Sequence, residues 1–446
     1  MVEINIPNNF LPERKYIIDI LFDEFLGLKY EINIKNKTKD YEIILENGNK
    51  IIIKGSFFSN FKDGLNYLDE KNIPEKINFL KNRFIVEKDI PVIFGNDEFK
   101  IRENEIVCGI DIFASSFFML TRWEEYANKT RDLHNRFPVT ASLAYKYDFL
   151  NRPIVNEYAE MLWNMLKYLW CNQKRKERKY ELILTHDVDN IFKWKNFGLF
   201  ARNIAGDIIK RKSVSLALEN IRQYFGNNPN PYDMFDFIMD LSEKRGIKSH
   251  FFFMSGGTSK FDNNYSINQP FVKKIREKIK SRGHLMGFHP SYNSYNNQKQ
   301  WEEEYSHLSK EVSQKVKIGR QHFLRFEVPT TWQIWEDNNM KWDSTLTYPE
   351  KEGFRCGTCY EYSVFNILSR KKLKLKEMPL TVMEVTMGGY QNLVPGIMEK
   401  KIIKLIDKVK KYNGKFVLLW HNSSFNSEFW ARCQGIYEKI VSINKS

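Results

Sequence analysis

Short runs of β-branched and aromatic residues, separated by polar turns, fill the first third of the chain. Lys29–Ile34, Glu42–Leu45 and Lys50–Lys54 alternate or cluster such residues and predict strands. Ile90–Phe94 and Glu105–Ile112 predict two more, and Ser115–Tyr126 turns helical. Val155, Ala159, Leu162, Leu166 and Leu169 then keep one apolar face, which predicts an amphipathic helix over Val155–Leu169. This portion reads as a small α+β domain. It ends in the basic polar run Cys171–Lys179, and the domain boundary is placed there, giving 1–175 and 176–446.

Beyond the boundary the pattern changes to strands alternating with helices. Glu181–Asp187, Lys248–Met254, His284–His289, Lys317–Phe323, Met340–Ser344, Leu373–Pro379 and Phe416–His421 predict strands. Helices are predicted over Asp233–Arg245, Gln269–Ser281, Trp301–Val316, Thr330–Asn339 and Pro395–Tyr412, three of them stopped by Gly246, Gly283 or Gly414. Such alternation argues an α/β domain with a parallel sheet, and closing it gives a distorted (β/α)7 barrel. In barrels the chemistry sits at the C-terminal ends of the strands.

Composition narrows the class. A chain of 446 residues is too long for one ordinary core, and 42% hydrophobic with 28% charged residues describes a globular protein. The start, MVEINIPNNF, lacks a basic stretch followed by an apolar one, no window is a membrane span, and five cysteines make no disulfide framework. A reducing, cytoplasmic compartment is expected. The net charge of +14 is spread along the chain, and no nucleic-acid motif accompanies it. One segment concentrates charge and apolar bulk together. Ile191–Phe225 interrupts the first strand–helix unit and mixes Trp194, Phe197, Phe200 and Ile208 with Lys193, Arg202, Lys210, Arg211 and Lys212. Such a stretch makes peripheral contact with an anionic membrane, covers the cleft, or packs as a satellite helix pair.

The strand ends carry the candidate chemistry. Of eight histidines, His186, His289, His322 and His421 fall at four of them. Asp187 and Asp189 are two apart, so on a strand they face the same way. One can ligate a divalent cation while the other acts as general base. His186 points to the opposite side and is expected to be packed and hydrogen-bonded. Cys356-Gly-Thr-Cys359 stands without a second pair and reads as a turn with incidental cysteines.

Five motifs in order resemble the polysaccharide deacetylase family, of carbohydrate esterase type with a NodB-like domain. They are Thr185–Asp189, His284–Ser291, Arg320–Phe323, Trp342-Asp343 and Leu418–His421. Phe117–Tyr126, with Arg131–Pro138 and Arg152–Ala159, resembles an uncharacterised domain fused to such modules in bacteria. The family resemblance implies a metal held by Asp189, His289 and His322, zinc or a related cation (cobalt, nickel, manganese or iron). It implies Asp187 as base steered by Arg320, His421 as acid oriented by Asp343, and a backbone N–H near Phe323 facing the oxyanion. Ser291, Phe323, Trp342, Arg355 and Trp420 are the expected substrate contacts. Departures stand out: Val188 stands at the second aspartate of the family's first motif, with Asp189 one step later, Asn293 stands at its second metal histidine, and His322 replaces a proline and restores the third ligand. The expected function is metal-dependent removal of an N-acyl group, N-acetyl first, from an amino sugar or a nucleotide- or lipid-linked glycan precursor. The alternatives are a lipid-linked sugar deformylase and a catalytically inactive glycan-binding or scaffold protein.

Overall fold

A computed structural model describes residues 1–226, 230–262, 265–312, 315–425 and 428–443. The chain divides into two compact units. The first takes Met1–Glu181, Leu324–Thr381 and Lys404–Phe416; the second takes Leu182–Phe323, Val382–Ile403 and Val417–Ser446. The first unit's leading segment ends near the division drawn from sequence. Two later segments are grouped with that unit as well.

In the first unit, strands Val2–Pro7 (β1), Tyr30–Lys35 (β2), Tyr41–Ile44 (β3), Lys50–Ile53 (β4), Gly95–Ile101 (β7) and Glu105–Ile110 (β8) form one sheet in the order β2-β1-β3-β4-β8-β7. Asn78–Leu80 (β5) and Ile90–Val92 (β6) pair separately. The expected amphipathic helix spans Ile154–Tyr168 and buries Ile154, Val155, Tyr158, Met161, Leu162, Met165 and Leu166. Each such side chain contributes roughly 1.5–3 kcal/mol of burial.

The helix expected over Ser115–Tyr126 is two helices, Ile112–Thr121 and Trp123–Ala127. Arg122, at φ 54, breaks them apart. Its buried guanidinium pairs with Glu124 and Glu125, so the break places a charge among partners instead of in the apolar face. Trp342–Asp343 (β13), Tyr362–Asn366 (β14) and Lys371–Glu377 (β15) also lie in this unit, with β13 parallel and β14 antiparallel to β15.

The second unit holds Glu181–Val188 (β9), His250–Phe253 (β10), Leu285–Phe288 (β11), Ile318–Gly319 (β12), Val382–Met383 (β16) and Lys415–Leu419 (β17), in the order β12-β11-β10-β9-β17-β16. The pairings β9–β10, β10–β11, β11–β12 and β16–β17 are parallel. The architecture is mixed α/β. β10 is buried throughout, as a central parallel strand is. Helices Phe235–Glu243, Pro270–Ser281 and Gln298–Glu311 follow β9, β10 and β11 in the chain. The expected helix Trp301–Val316 starts earlier and ends at Glu311; its residues 313 and 314 lie outside the described residues. Phe197–Ile209 and Val214–Phe225 are helices of their own between β9 and the helix that follows it. Among the described residues no helix is long and apolar enough to cross a membrane.

Candidate active site

The C-terminal tips of β9, β11, β12 and β17 carry the polar residues. Phe252 stands beside Asp187 in the β9–β10 register. Val188 is buried between the two aspartates, and its carbonyl accepts from Tyr265 Oη at 2.8 Å. Asp187 and Asp189 both reach His289: its Nε2 lies 3.8 Å from Asp187 Oδ2 and 3.1 Å from Asp189 Oδ1. His186 turns away, with Nδ1 at 2.7 Å from the Trp420 carbonyl and Nε2 at 3.3 Å from Ser249 Oγ. Burial pushes its imidazole down to about 3, so it is neutral.

Asp189, His289 and His322 each offer one ligand atom, and these atoms lie within 4.8 Å of one another. Asp189 Oδ1 and His289 Nε2 are buried, yet neither completes a hydrogen bond of good geometry. Two imidazoles and a carboxylate suit zinc or another borderline divalent cation. Burial disfavours the Asp189 charge, but His322, then His289 and His421, hold its carboxyl well below the usual carboxylate range. His289 and His322 are buried, while Asp189 is 22% and His421 12% exposed, so the cluster opens to solvent on that side.

The residues behind the cluster fix its orientation. His289 Nδ1 meets the Arg320 carbonyl at 2.6 Å. His322 Nδ1 faces Asp262 Oδ1 at 3.4 Å, leaving Nε2 towards Asp189 Oδ1 at 3.8 Å. Asp262 is itself fixed by the backbone N–H groups of Ser259 and Tyr292, at 2.6 and 2.8 Å. At 3.4 Å the pair is an ion-pair contact, and buried His322 Nδ1 completes no hydrogen bond of good geometry; the Asp262 charge nevertheless lies directly behind the ring. Space for Asp262 depends on Gly257, at φ +96, where an added Cβ would lie 2.6 Å from Asp262 Cγ and from Ser291 Cβ.

Arg320 Nη1 donates to Asp187 Oδ1 at 2.7 Å and Nη2 to Thr185 Oγ1 at 3.0 Å. His421 Nδ1 and its backbone N–H both meet Glu384 Oε1, at 2.7 and 2.9 Å, and its Nε2 lies 3.4 Å from Asp189 Oδ2. Burial works against the imidazolium, but Glu384, by charge and hydrogen bond, then Asp189 and Asp187, raise it to about 10. Beside His322, Phe261, Tyr292 and Phe323 form a half-buried trio of rings with centroids 4.7 to 5.4 Å apart. Phe323 has φ 61, a costly conformation for an aromatic residue.

Four assignments from sequence change. Asp343 is not the partner of His421: its Oδ1 accepts from Thr345 Oγ1, and Glu384 occupies Nδ1 of His421. Arg355 is buried, bidentate to Glu125 at 2.5 and 2.9 Å, so its charge is spent inside the first unit and not on a substrate. Trp342, half-buried on β13, is not among these four. Trp420 is fully buried against Phe425 and Tyr437, with Nε1 donating to Ser424; its ring belongs to the core. Ser291 is buried with its hydroxyl and N–H both given to Glu304. Asp262 and Glu384 are the residues that sequence reasoning missed. The cysteines at 356 and 359 are free and buried.

A family of unknown function, DUF7033, matches residues 2–171. No curated protein sequence matches the chain. Solved structures similar in fold include an allantoinase, 10% identical over 60% of this chain and 85% of that one, with TM-score 0.38. They include a CE4 family pseudoenzyme from Bacillus anthracis, 12% identical over 60% of this chain and 61% of that one, with TM-score 0.32. A family 4 carbohydrate esterase from Streptomyces lividans, in complex with acetate, is 10% identical over 60% of this chain and 90% of that one, with TM-score 0.30. At these values the chemistry must be argued from the chain's own atoms.

Proposed function

We propose that the second unit, on a (β/α)7-type scaffold, is a metal-dependent deacetylase hydrolysing the N-acyl group, N-acetyl first, of an amino sugar or glycan precursor. The observation that carries this is the convergence of Asp189, His289 and His322 within 4.8 Å, flanked by Asp187 and His421. A divalent cation would be held there by Asp189, His289 and His322, and would supply Lewis acidity and a water of lowered pKa. Asp187 is the base. Arg320 occupies its Oδ1, which leaves Oδ2, on the His289 side, to take the proton from the attacking water.

The water oxygen bonds to the acyl carbon and the C–N bond breaks. His421, kept protonated by Glu384, gives its Nε2 proton to the departing amine. The proton on Asp187 then passes to solvent and His421 takes one back from solvent, which returns both groups to their starting state. The ring trio Phe261, Tyr292 and Phe323 offers flat faces of the kind that sugar rings stack against.

The test is metal analysis of the purified protein together with product analysis on N-acylated amino sugars. Stoichiometric divalent cation that disappears in His289→Ala, with acetate release, supports the reading. Formate release in place of acetate points to the deformylase. A wild-type protein that binds no added zinc, cobalt or manganese sinks it and leaves a glycan-binding or scaffold protein.

A further inference from the structure

Helices Phe197–Ile209 and Val214–Phe225 form a hairpin that buries polar residues in its seam and leaves apolar ones outside. Its seam is polar towards the tip: Asp207 is fully buried and Asn220 is 4% exposed. Asn220 Nδ2 donates to Asp207 Oδ2 at 2.7 Å, Lys193 Nζ donates to Asn220 Oδ1 at 2.7 Å, and Trp194 Nε1 donates to Asn203 Oδ1 at 3.1 Å. Only at the base is the seam aromatic, where Phe200 stacks on Tyr224 at 4.0 Å.

The outside carries the apolar bulk. Phe197, Leu199, Ile208, Ile209, Val214, Leu218 and Phe225 are all exposed, Ile209 to 73% and Phe225 to 72%. A water-facing helix pair buries its apolar residues and exposes its polar ones. This pair buries Phe200 and Ala217 but also Asp207 and Asn220, and it leaves seven large apolar side chains outside, a mixed surface that suits a boundary between apolar and aqueous surroundings.

Charge says which surrounding. From Lys193 to Phe225 there are seven basic residues against Asp207 and Glu219. Lys210, Arg211 and Lys212 sit at the turn, between exposed Ile208 and Ile209 on one side and Val214 on the other. Arg211 is anchored to Asp207, while Arg202, Lys210 and Lys212 are exposed. A groove of about 560 Å³ joins Leu199 and Ile209 to Arg202 and Arg211. Apolar side chains framed by cations fit the boundary between acyl chains and anionic headgroups.

We infer that the tip of this hairpin, Ile208–Val214, docks the protein on an anionic membrane surface. This goes beyond the hydrolase reading and stands or falls without it.

The experiment is co-sedimentation of the full-length protein with phosphatidylcholine vesicles, with and without phosphatidylglycerol. Two variants are carried through: Ile208→Asn with Ile209→Asn, and Lys210→Glu with Lys212→Glu. All four residues are exposed, so circular dichroism and Tm are expected to match wild type. Wild type should pellet only with phosphatidylglycerol present and release in high salt. Each variant should bind at least about tenfold more weakly. Absence of vesicle binding by wild type overturns the inference, as does binding that neither variant weakens. Self-association that the same substitutions abolish, without vesicle binding, also overturns it and identifies a second copy as the occupant.

Discussion

Arg320 Nη1 donates to Asp187 Oδ1 at 2.7 Å, and both side chains are buried. The carbonyl of Arg320, by contrast, serves His289. Side chain and main chain of one residue therefore serve the proposed base and the proposed cation cluster separately. In Arg320→Met the carbonyl stays, so cation content should remain near wild type while acetate release falls by about 100-fold. Arg320→Lys restores a cation and should recover part of the rate. Parallel loss of metal and activity would show that the arginine merely holds the fold.

Asp262 supports His322 from behind. Asp262→Asn keeps the shape and removes the charge. Affinity for the cation, read by chelator competition, should weaken about 10- to 100-fold, with circular dichroism unchanged. An unchanged affinity would take Asp262 out of the site.

Glu384 is proposed to act through His421. Glu384→Gln should cut N-acetyl hydrolysis by about 100-fold and leave cation content intact. An activated aryl acetate, whose leaving group needs no proton, should lose much less. Equal losses on both substrates would remove His421 from the acid role.

Acid should destabilise the second unit through His250. Burial lowers its imidazole to about 4, against the ordinary 6.5, and its Nδ1 meets the Leu184 carbonyl. The unfolded chain thus binds more protons than the folded one between these values. The stabilising contribution is complete above pH 6.5, shrinks as pH falls towards 4, and amounts to about 3 kcal/mol. His250→Gln should flatten the slope of denaturation free energy against pH across that window. A slope unchanged by the substitution would locate the acid sensitivity elsewhere.

Much of the site was legible because strand periodicity is simple. Two aspartates at i and i+2 share a face, and histidines at successive strand tips gather when the strands are parallel. His322 could be named because it lies in the Arg320–Phe323 motif, although the expected strand Lys317–Phe323 is only Ile318–Gly319 and ends three residues before it. Glu384 could not, because its strand, Val382–Met383, is two residues long and carries no pattern. Asp262 lies in a loop, where sequence holds no periodicity at all. Trp420 was misread through the same alternation that found His421, since neighbours on a strand face opposite ways and its ring goes to the core. Asp343 and Arg355 were misassigned because a local stretch does not reveal the partners, Thr345 and the distant Glu125, that take up their side chains. The hairpin's composition pointed to three roles, and the burial of Asp207 and Asn220 beside exposed apolar residues was not legible in it.

Gly257 carries a constraint of a different kind. The nearest atoms to a methyl placed there would belong to Asp262 and Ser291, the one behind His322 and the other two residues past His289. Enlarging this loop by a single carbon would therefore press on two ligand supports at once, from a position that touches neither ligand. Tolerance to mutation around the site follows unoccupied volume more closely than chemical role. An unremarkable loop position can be less forgiving than the charged residues beside it.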